Sequence, residues 1–390
     1  MTTENHRMGH WLECSVAGEK YNSYIPPRLP LDPPIRLEGL YNDLQKATEV
    51  LGELNGVARA VPNGALFIYM YVRKEALVSS QIEGTQSSFS DLILFENEQK
   101  PDISFDDVEE VTNYVKAMTY GLEKLSEGFP LCLRLLREVH QVLMQGVRGS
   151  SQQPGEFRRS QNWVAGTRPG NALFVPPPPE ELSSILGNFE TFMNETNETL
   201  PTLIKAGILH LQFETIHPFL DGNGRLGRLL IILYLIQENT LQSPVLYLSL
   251  YLKQNRGAYY RLLQEVRNQG TWETWLEFFL KGIEMTARQA VTTIEDLNEL
   301  FQKDEEKIQV MGRSRLSSLS AWEYLKKVPQ VTPISLAEQL SVSTPTARNA
   351  LENLEKIGIV KEITGQKRDK IYIYENYLRA LEAGTEPLVL

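Results

Sequence analysis

A chain of 390 residues is too long for one ordinary core and predicts two or three domains. Its hydrophobic content of 42% and charged content of 23% are globular values. The net charge of −10 excludes nonspecific nucleic-acid binding by the chain as a whole but leaves a local patch open. Two cysteines, Cys14 and Cys132, exclude a disulfide framework and a cysteine-based zinc site. The first residues lack a signal pattern, and the longest apolar run, residues 229–236, is too short to span a bilayer. A soluble, cytoplasmic protein is expected.

Residues 21–36 are proline-rich and predict an extended arm lying on another part of the chain. Helical spacing begins at Glu38, with Leu40, Leu44, Ala47, Val50, Leu51 and Leu54 on one face. A second helix is predicted over about 66–84, stopping at Gly84, a third from Phe105, and a fourth that Gly146 ends. Residues 161–177 then predict a strand, a turn and a strand, and the prolines at 176–179 start a new helix. Further helices are predicted at 180–195, 202–216, 226–238, 255–268 and 271–300. The last seventy residues predict three helices and a small hairpin, the order of a winged helix-turn-helix. The fold class is therefore mainly α: a helical core with a small β-hairpin flap, plus that C-terminal module.

Residues 217–228, HPFLDGNGRLGR, concentrate the chemistry. Gly222, Gly224 and Gly227 fit G-x-G-x-x-G, but the segment before them has a helical period where a dinucleotide fold needs a buried strand. His210, Glu214 and His217 share a helix face and offer a zinc reading, which lacks a further ligand nearby. The better reading is an anion cradle. Gly222, Asn223 and Gly224 suit a nest of backbone N–H groups, and the helix starting there adds its positive end. Arg225 and Arg228, three apart, reach the same region and suit a di- or triphosphate. Asp221 at the rim suits a magnesium ion, and His217 suits proton abstraction from a hydroxyl. A base, a metal ligand and a phosphate clamp are the parts of phosphoryl or nucleotidyl transfer.

This stretch resembles the Fic family signature H-x-F-x-D/E-G-N-G-R-x-x-R, matching at His217, Phe219, Asp221, Gly222, Asn223, Gly224, Arg225 and Arg228. The resemblance implies a Fic-type helical core and transfer of AMP from ATP to a Ser, Thr or Tyr hydroxyl of a target protein, with release of pyrophosphate. It implies His217 as general base, Asp221 as the Mg2+ ligand, and Gly222, Asn223, Gly224, Arg225 and Arg228 as phosphate binders. The flap, about 155–177, would pair with the target's backbone, and Trp163 and Val164 would lie over the nucleotide. Tyr260 and Asn255 resemble the adenine-contacting segment. Arg267 stands about where some relatives carry an adenine-binding asparagine, a departure that bears on base specificity. The implied organisation is an N-terminal region 1–104, a Fic core 105–285, a linker helix 286–310 and a winged helix 311–390.

Ser79 to Gly84 (SSQIEG) resembles the family's inhibitory helix pattern. Glu83 at a helix C-terminus needs a cation, because the helix dipole disfavours a carboxylate there. The family's partner is Arg228, and the pair would take that arginine from the γ-phosphate. Other readings stay open: transfer of another nucleotide or of phosphate, removal of AMP, self-modification, or a DNA-binding regulator. Residues 311–379 carry six Lys and five Arg against seven acids, a local +4, with Arg348 and Asn349 on the third helix and Glu352 and Glu355 beside them. That module suits DNA or a protein equally. Ile294, Leu297, Leu300 and Phe301 of the linker helix are candidates for a homodimer face. No membrane partner is expected.

Overall fold

The computed structural model describes residues 7–16, 18–60, 64–96, 105–146, 152–195, 200–366 and 370–386. The expected boundary at 104/105 and the wing residues Lys367 and Arg368 abut or fall outside them. In chain order the elements are β1 (His10–Val16), β2 (Glu19–Ile25), α1 (Tyr41–Ala60), α2 (Gly64–Ile82), α3 (Phe89–Glu96), α4 (Phe105–Ser126) and α5 (Leu133–Leu143). There follow α6 (Leu182–Asn194), α7 (Thr202–Ile216), α8 (Asn223–Gln237), α9 (Ser249–Gln254), α10 (Arg256–Gln269) and α11 (Trp272–Gln309). The C-terminal elements are α12 (Arg315–Lys327), β3 (Gln330–Val331), α13 (Pro333–Leu340), α14 (Thr344–Lys356), β4 (Lys361–Glu362), β5 (Tyr372–Ile373) and α15 (Glu375–Glu382).

α7 and α8 form the centre. Every residue of α7 from Leu203 to Ile216 is buried, as expected of a helix with no polar face. α4, α5, α6 and α11 pack around this pair, and α2 crosses α4 and α9. α1 lays Ala47, Val50, Leu51 and Leu54 on α11. Gly207 lets α7 approach α11: a Cβ there would lie 2.8 Å from a Leu276 methyl and 3.0 Å from the Phe279 ring. The Trp275 indole also donates to the Gly207 carbonyl at 2.9 Å. Among the described residues no helix is long and apolar enough to cross a membrane, and Cys14 and Cys132 are both free.

Four expectations change. The proline arm begins with a strand: β1 and β2 form an antiparallel hairpin, and only the chain after Ile25 is irregular. That part is pinned, with Leu29 exchanging two hydrogen bonds with the Asn188 amide and Leu31 and Ile35 buried. The flap is not two strands. Val164 and Phe174 make one bridge, and the turn between them is held by the Asn171 carboxamide on the N–H groups of Thr167 and Arg168. Prolines at 169 and 176–179 cannot donate to a ladder. The linker helix is not a separate element, because α11 runs unbroken for 38 residues out of the core. Its Ile294 and Leu297 are covered by this same chain, and Phe301 packs on Phe67, Trp322 and Tyr377, so these are not a free dimer face.

The C-terminal module has α12–α14 and a three-stranded antiparallel sheet in the order β3-β5-β4. Tyr374 ties it to α11, donating to Asp304 at 2.6 Å and accepting from the Trp322 indole at 3.2 Å. The chain after α15 returns to the core. The Gln81 amide donates to the Thr385 carbonyl at 2.8 Å, and Lys253 bridges the Gln81 side chain and the Glu386 carbonyl.

Gly207→Ala tests the central packing. Alanine in a helix ordinarily gains about 0.5–1 kcal/mol over glycine, whereas overpacking costs about 1–3 kcal/mol. The clash with Leu276 and Phe279 decides the sign, so the variant's urea midpoint should fall. A rise would mean that the α7–α11 contact is looser than described.

Candidate active site

α7 stops at His217, whose N–H still bonds the Phe213 carbonyl while its own φ turns to +49°. Pro218 follows and has no N–H with which to continue the helix. The loop 217–222 is braced by its neighbours. The Asn223 side chain turns back and clasps Phe219, accepting its N–H at 2.9 Å and donating to its carbonyl at 2.8 Å. Arg158 donates to the His217 carbonyl at 2.9 Å, and Asn162 to the carbonyls of His217 and Phe219. The Phe219 ring is buried, stacked on His140 with centroids 3.8 Å apart. His140 accepts from the Gly155 N–H through Nδ1, so its proton is on Nε2, which donates to the Asp221 carbonyl at 2.9 Å. Burial holds this imidazole neutral, with its pKa lowered to about 4.

The expected nest is a correction. Gly222 has φ +76°, but Asn223 and Gly224 are already the first residues of α8. The anion-attracting feature is therefore a helix N-terminus, not alternating backbone hands. Asn223 offers its backbone N–H there, and its side chain serves the loop.

Both arginines carry a carboxylate. Arg225 is buried and donates to Glu110 at 3.3 Å. Arg228, 2% exposed, donates through Nε to the Ser79 hydroxyl at 2.8 Å, and through Nη2 to the Ser79 carbonyl at 2.9 Å and Glu83 Oε1 at 2.7 Å. Burial alone would raise the Glu83 carboxyl, but Arg228 outweighs it, with Arg225 helping, and holds it below the ordinary value. Gly224 makes room for this pair, since a Cβ there would lie 2.2 Å from Glu83 Oε1.

These groups face one cavity of about 450 Å³, lined by His217, Asp221 and residues 222–225, Arg228, Glu83, the flap residues Trp163 and Val164, and Tyr260. His217 is half-buried; burial first, then Arg267, lowers its pKa to about 4, so it is a neutral base. Its Nδ1 faces the Glu214 carbonyl at 3.4 Å, which puts the proton on Nδ1 and leaves the Nε2 lone pair free. Asp221 lies at the rim and accepts the Gly222 N–H at 2.6 Å. A single rim carboxylate beside an anion site fits Mg2+, which takes one or two carboxylates and fills its shell with phosphate oxygens and water. No cluster of three metal-ligating side chains occurs among the described residues.

Two expectations do not assemble here. Asn255 lies off the cavity, its amide donating to the Tyr251 carbonyl at 2.9 Å. His210 is fully buried between the Gly227 carbonyl and the Tyr259 hydroxyl, each at 2.9 Å, which removes the zinc reading of His210, Glu214 and His217. Sequence reasoning missed Arg158, Asn162 and His140, whose roles depend on backbone carbonyls that no side-chain spacing reveals. Asn223→Ala would orphan the buried Phe219 N–H, a loss of about 1–3 kcal/mol. Its thermal midpoint should fall with Gly222 and the arginines untouched; an unchanged midpoint would mean that the loop stands without this clasp.

Residues 41–123 match the family model described as Fic/DOC family N-terminal, and residues 130–235 the model described as Fic/DOC family. The protein adenylyltransferase Fic of Drosophila sechellia is 29% identical over 255 residues, covering 64% of this chain and 47% of that protein. The protein of the same name from Drosophila grimshawi is 31% identical over 185 residues, covering 47% of this chain and 35% of that one. The chain thus spans about half the length of the first of these relatives and less of the second. A Fic family protein from Desulfovibrio desulfuricans shares the fold, with a TM-score of 0.59 at 19% identity over 88% of this chain and 97% of that one. With both family models lying on α1 to α8 and the complete H-x-F-x-D-G-N-G-R-x-x-R signature on the α7–α8 loop, residues 41–123 and 130–235 are the N-terminal and Fic segments of the Fic/DOC family.

Proposed function

We propose that this chain transfers AMP from ATP to a Ser, Thr or Tyr hydroxyl of a target protein, and that Glu83 holds it in a resting state. The observation that carries the reading is the Glu83–Arg228 pair at 2.7 Å inside the cavity of a neutral His217. The relatives named protein adenylyltransferase support the reaction type. The N-terminus of α8 and the two arginines bind the polyphosphate. His217 Nε2 takes the proton of the attacking hydroxyl as its oxygen bonds to the α-phosphorus, and the bond to pyrophosphate breaks. Mg2+ at Asp221 would offset phosphate charge. Trp163 and Tyr260, each more than a third exposed, flank the nucleoside end. Leu173, 71% exposed on the flap, is the apolar contact for a target segment laid beside it.

In this reading ATP competes with Glu83 for Arg228. Glu83→Gly should raise labelling from α-labelled ATP roughly tenfold or more, and His217→Ala should abolish it. Equal labelling by wild type and Glu83→Gly would remove the inhibitory role. Label from γ-labelled ATP alone would change the transferred group. Loss of label from a pre-modified target would favour the reverse reaction, with Glu83 positioning water.

The pH profile tests the base. A His217 pKa near 4 leaves the imidazole neutral, and so able to accept a proton, at every pH above that value. Removing Glu83 takes away a charge that raises this value, so the shift persists in the active variant. Transfer by Glu83→Gly should stay flat from about pH 8 down to about 5, whereas an ordinary histidine would halve near 6.5. A limb at 6.5 would show that His217 is not held in this environment.

The partner of the C-terminal module is a proposal of a different kind. Arg348 and Asn349 lie exposed on α14, and Arg313 and Lys356 border Asn349, Glu352 and Asn353 in one surface hollow. This basic and amide-rich face supports nucleic acid over an acidic partner protein. Salt-dependent DNA binding without ATP, unchanged in His217→Ala, is the expected result. The free cysteines suit a reducing, cytoplasmic setting.

A further inference from the structure

Glu214 is the carboxylate of the cavity that the scheme above leaves unused. It sits on α7 one turn before His217, is 7% exposed, and lines the same cavity. Its Oε1 has no hydrogen-bond partner among the described residues. A buried polar atom without a partner costs about 1–3 kcal/mol, so its persistence calls for a reason.

The surroundings narrow that reason. The carboxyl lies within electrostatic reach of Arg228, Tyr259, Tyr260 and Arg267. Three of these neighbours are occupied elsewhere. Arg228 is held by Ser79 and Glu83, and the Tyr259 hydroxyl by His210. Arg267 spends its N–H groups on the Thr215 hydroxyl, the Gln264 side chain and the Glu214 carbonyl, and stacks on Phe174 with its guanidinium 3.8 Å from the ring centroid. Gly227 keeps the place open, since a Cβ there would lie 2.5 Å from Glu214 Oε1. Burial, with the like charge of Glu83 adding to it, raises the carboxyl to about 7 against the pull of Arg228 and Arg267.

In its ionised form this carboxylate is an acceptor only and cannot serve the phosphates, which at neutral pH bring no hydrogen-bond donors. The donors of a nucleotide are on its nucleoside half: the amino group of the base and the ribose hydroxyls. We propose that Glu214 accepts a hydrogen bond from the nucleoside and thereby selects which nucleotide enters the cavity. The inference rests on the nucleotide-binding part of the proposed function and not on the transfer step.

Calorimetric binding to the Glu83→Gly protein, with and without Glu214→Ala or Glu214→Gln, tests it without turnover. The titrants are ATP, purine riboside triphosphate, which lacks the 6-amino group, and the 2′-deoxy and 3′-deoxy forms of ATP. Glu214→Ala should weaken ATP binding about tenfold to a hundredfold, with the glutamine variant, which keeps an acceptor oxygen, between alanine and parent. The analogue missing the contacted donor should bind parent and alanine variant alike. If that analogue is purine riboside triphosphate, the base is read; if it is a deoxy form, the ribose is read. Thermal midpoints of both variants should not fall, since no internal bond of Oε1 is lost.

Four results would overturn the proposal. One is equal affinity of parent and alanine variant for ATP. A second is the same loss for every titrant. A third is an effect that vanishes without Mg2+, which would make Glu214 a metal ligand. The fourth, no ATP binding by the Glu83→Gly protein itself, would remove the nucleotide reading as well. The expected binding pattern with no transfer to any protein would uphold Glu214 and remove only the transferase reading.

Discussion

A guanidinium with 2% of its surface exposed cannot be left without an anion, and Arg228 is such a group. Much of the site is arranged around that demand. Ser79 fixes the plane of the fork from α2, Glu83 supplies the charge, and Gly224 gives up a side chain so that the carboxylate can come close. In the proposed function the same demand would make the arginine a receptor for phosphate once the glutamate is gone. On that proposal, resting and occupied states would be alternative answers to one desolvation cost. A lysine would answer it less well, because the two N–H groups that meet Ser79 and the one that meets Glu83 belong to a single rigid fork.

The second dependency is backbone. The histidine ring is placed by the end of one helix and the anion-attracting amides by the start of the next, with six residues between the two helices. Such a loop is floppy unless its carbonyls are engaged, and here Arg158, Asn162, Asn223 and His140 engage them. The N-terminal hairpin steadies the flap on the opposite wall: Tyr24 donates its N–H to Val175 at 2.9 Å, and Trp11 and Tyr24 pack on Phe174. Walls and floor therefore come from segments more than a hundred residues apart.

What the sequence disclosed follows from this. The apolar, unbroken periodicity of α7 and α8 and the density of unusual residues between them made the centre and the motif legible. The end of α2 was legible through its resemblance to the Fic family's inhibitory pattern, to which a carboxylate at a helix C-terminus adds a physical reason. The nest was misread because Asn-Gly signals a turn locally, while Gly222 alone takes the left-handed step and the helix starts one residue later. The strand β1 was passed over because its residues alternate only weakly and the prolines that follow dominate the composition. The unbroken α11 was divided because its buried face changes partner, from α7 and α10 to α1 and then α12, without any breaker in the sequence. Arg158 and Asn162 could not be read, since their partners are main-chain oxygens.

The return of the chain to Gln81 has a temporal consequence. Gln81 and Thr385 are 304 positions apart, yet they meet two residues from Glu83. Contacts of such separation form late, because the intervening chain must be ordered first. During synthesis α1 to α11 emerge well before residues 385 and 386. A nascent chain therefore has its cavity assembled while the last turn of α2 still lacks the bonds from Gln81 and Lys253 to the tail. The bonds from residues 385 and 386 to the end of α2 form only when translation has passed the C-terminal module, so a younger chain and an older one differ in how firmly Glu83 is held.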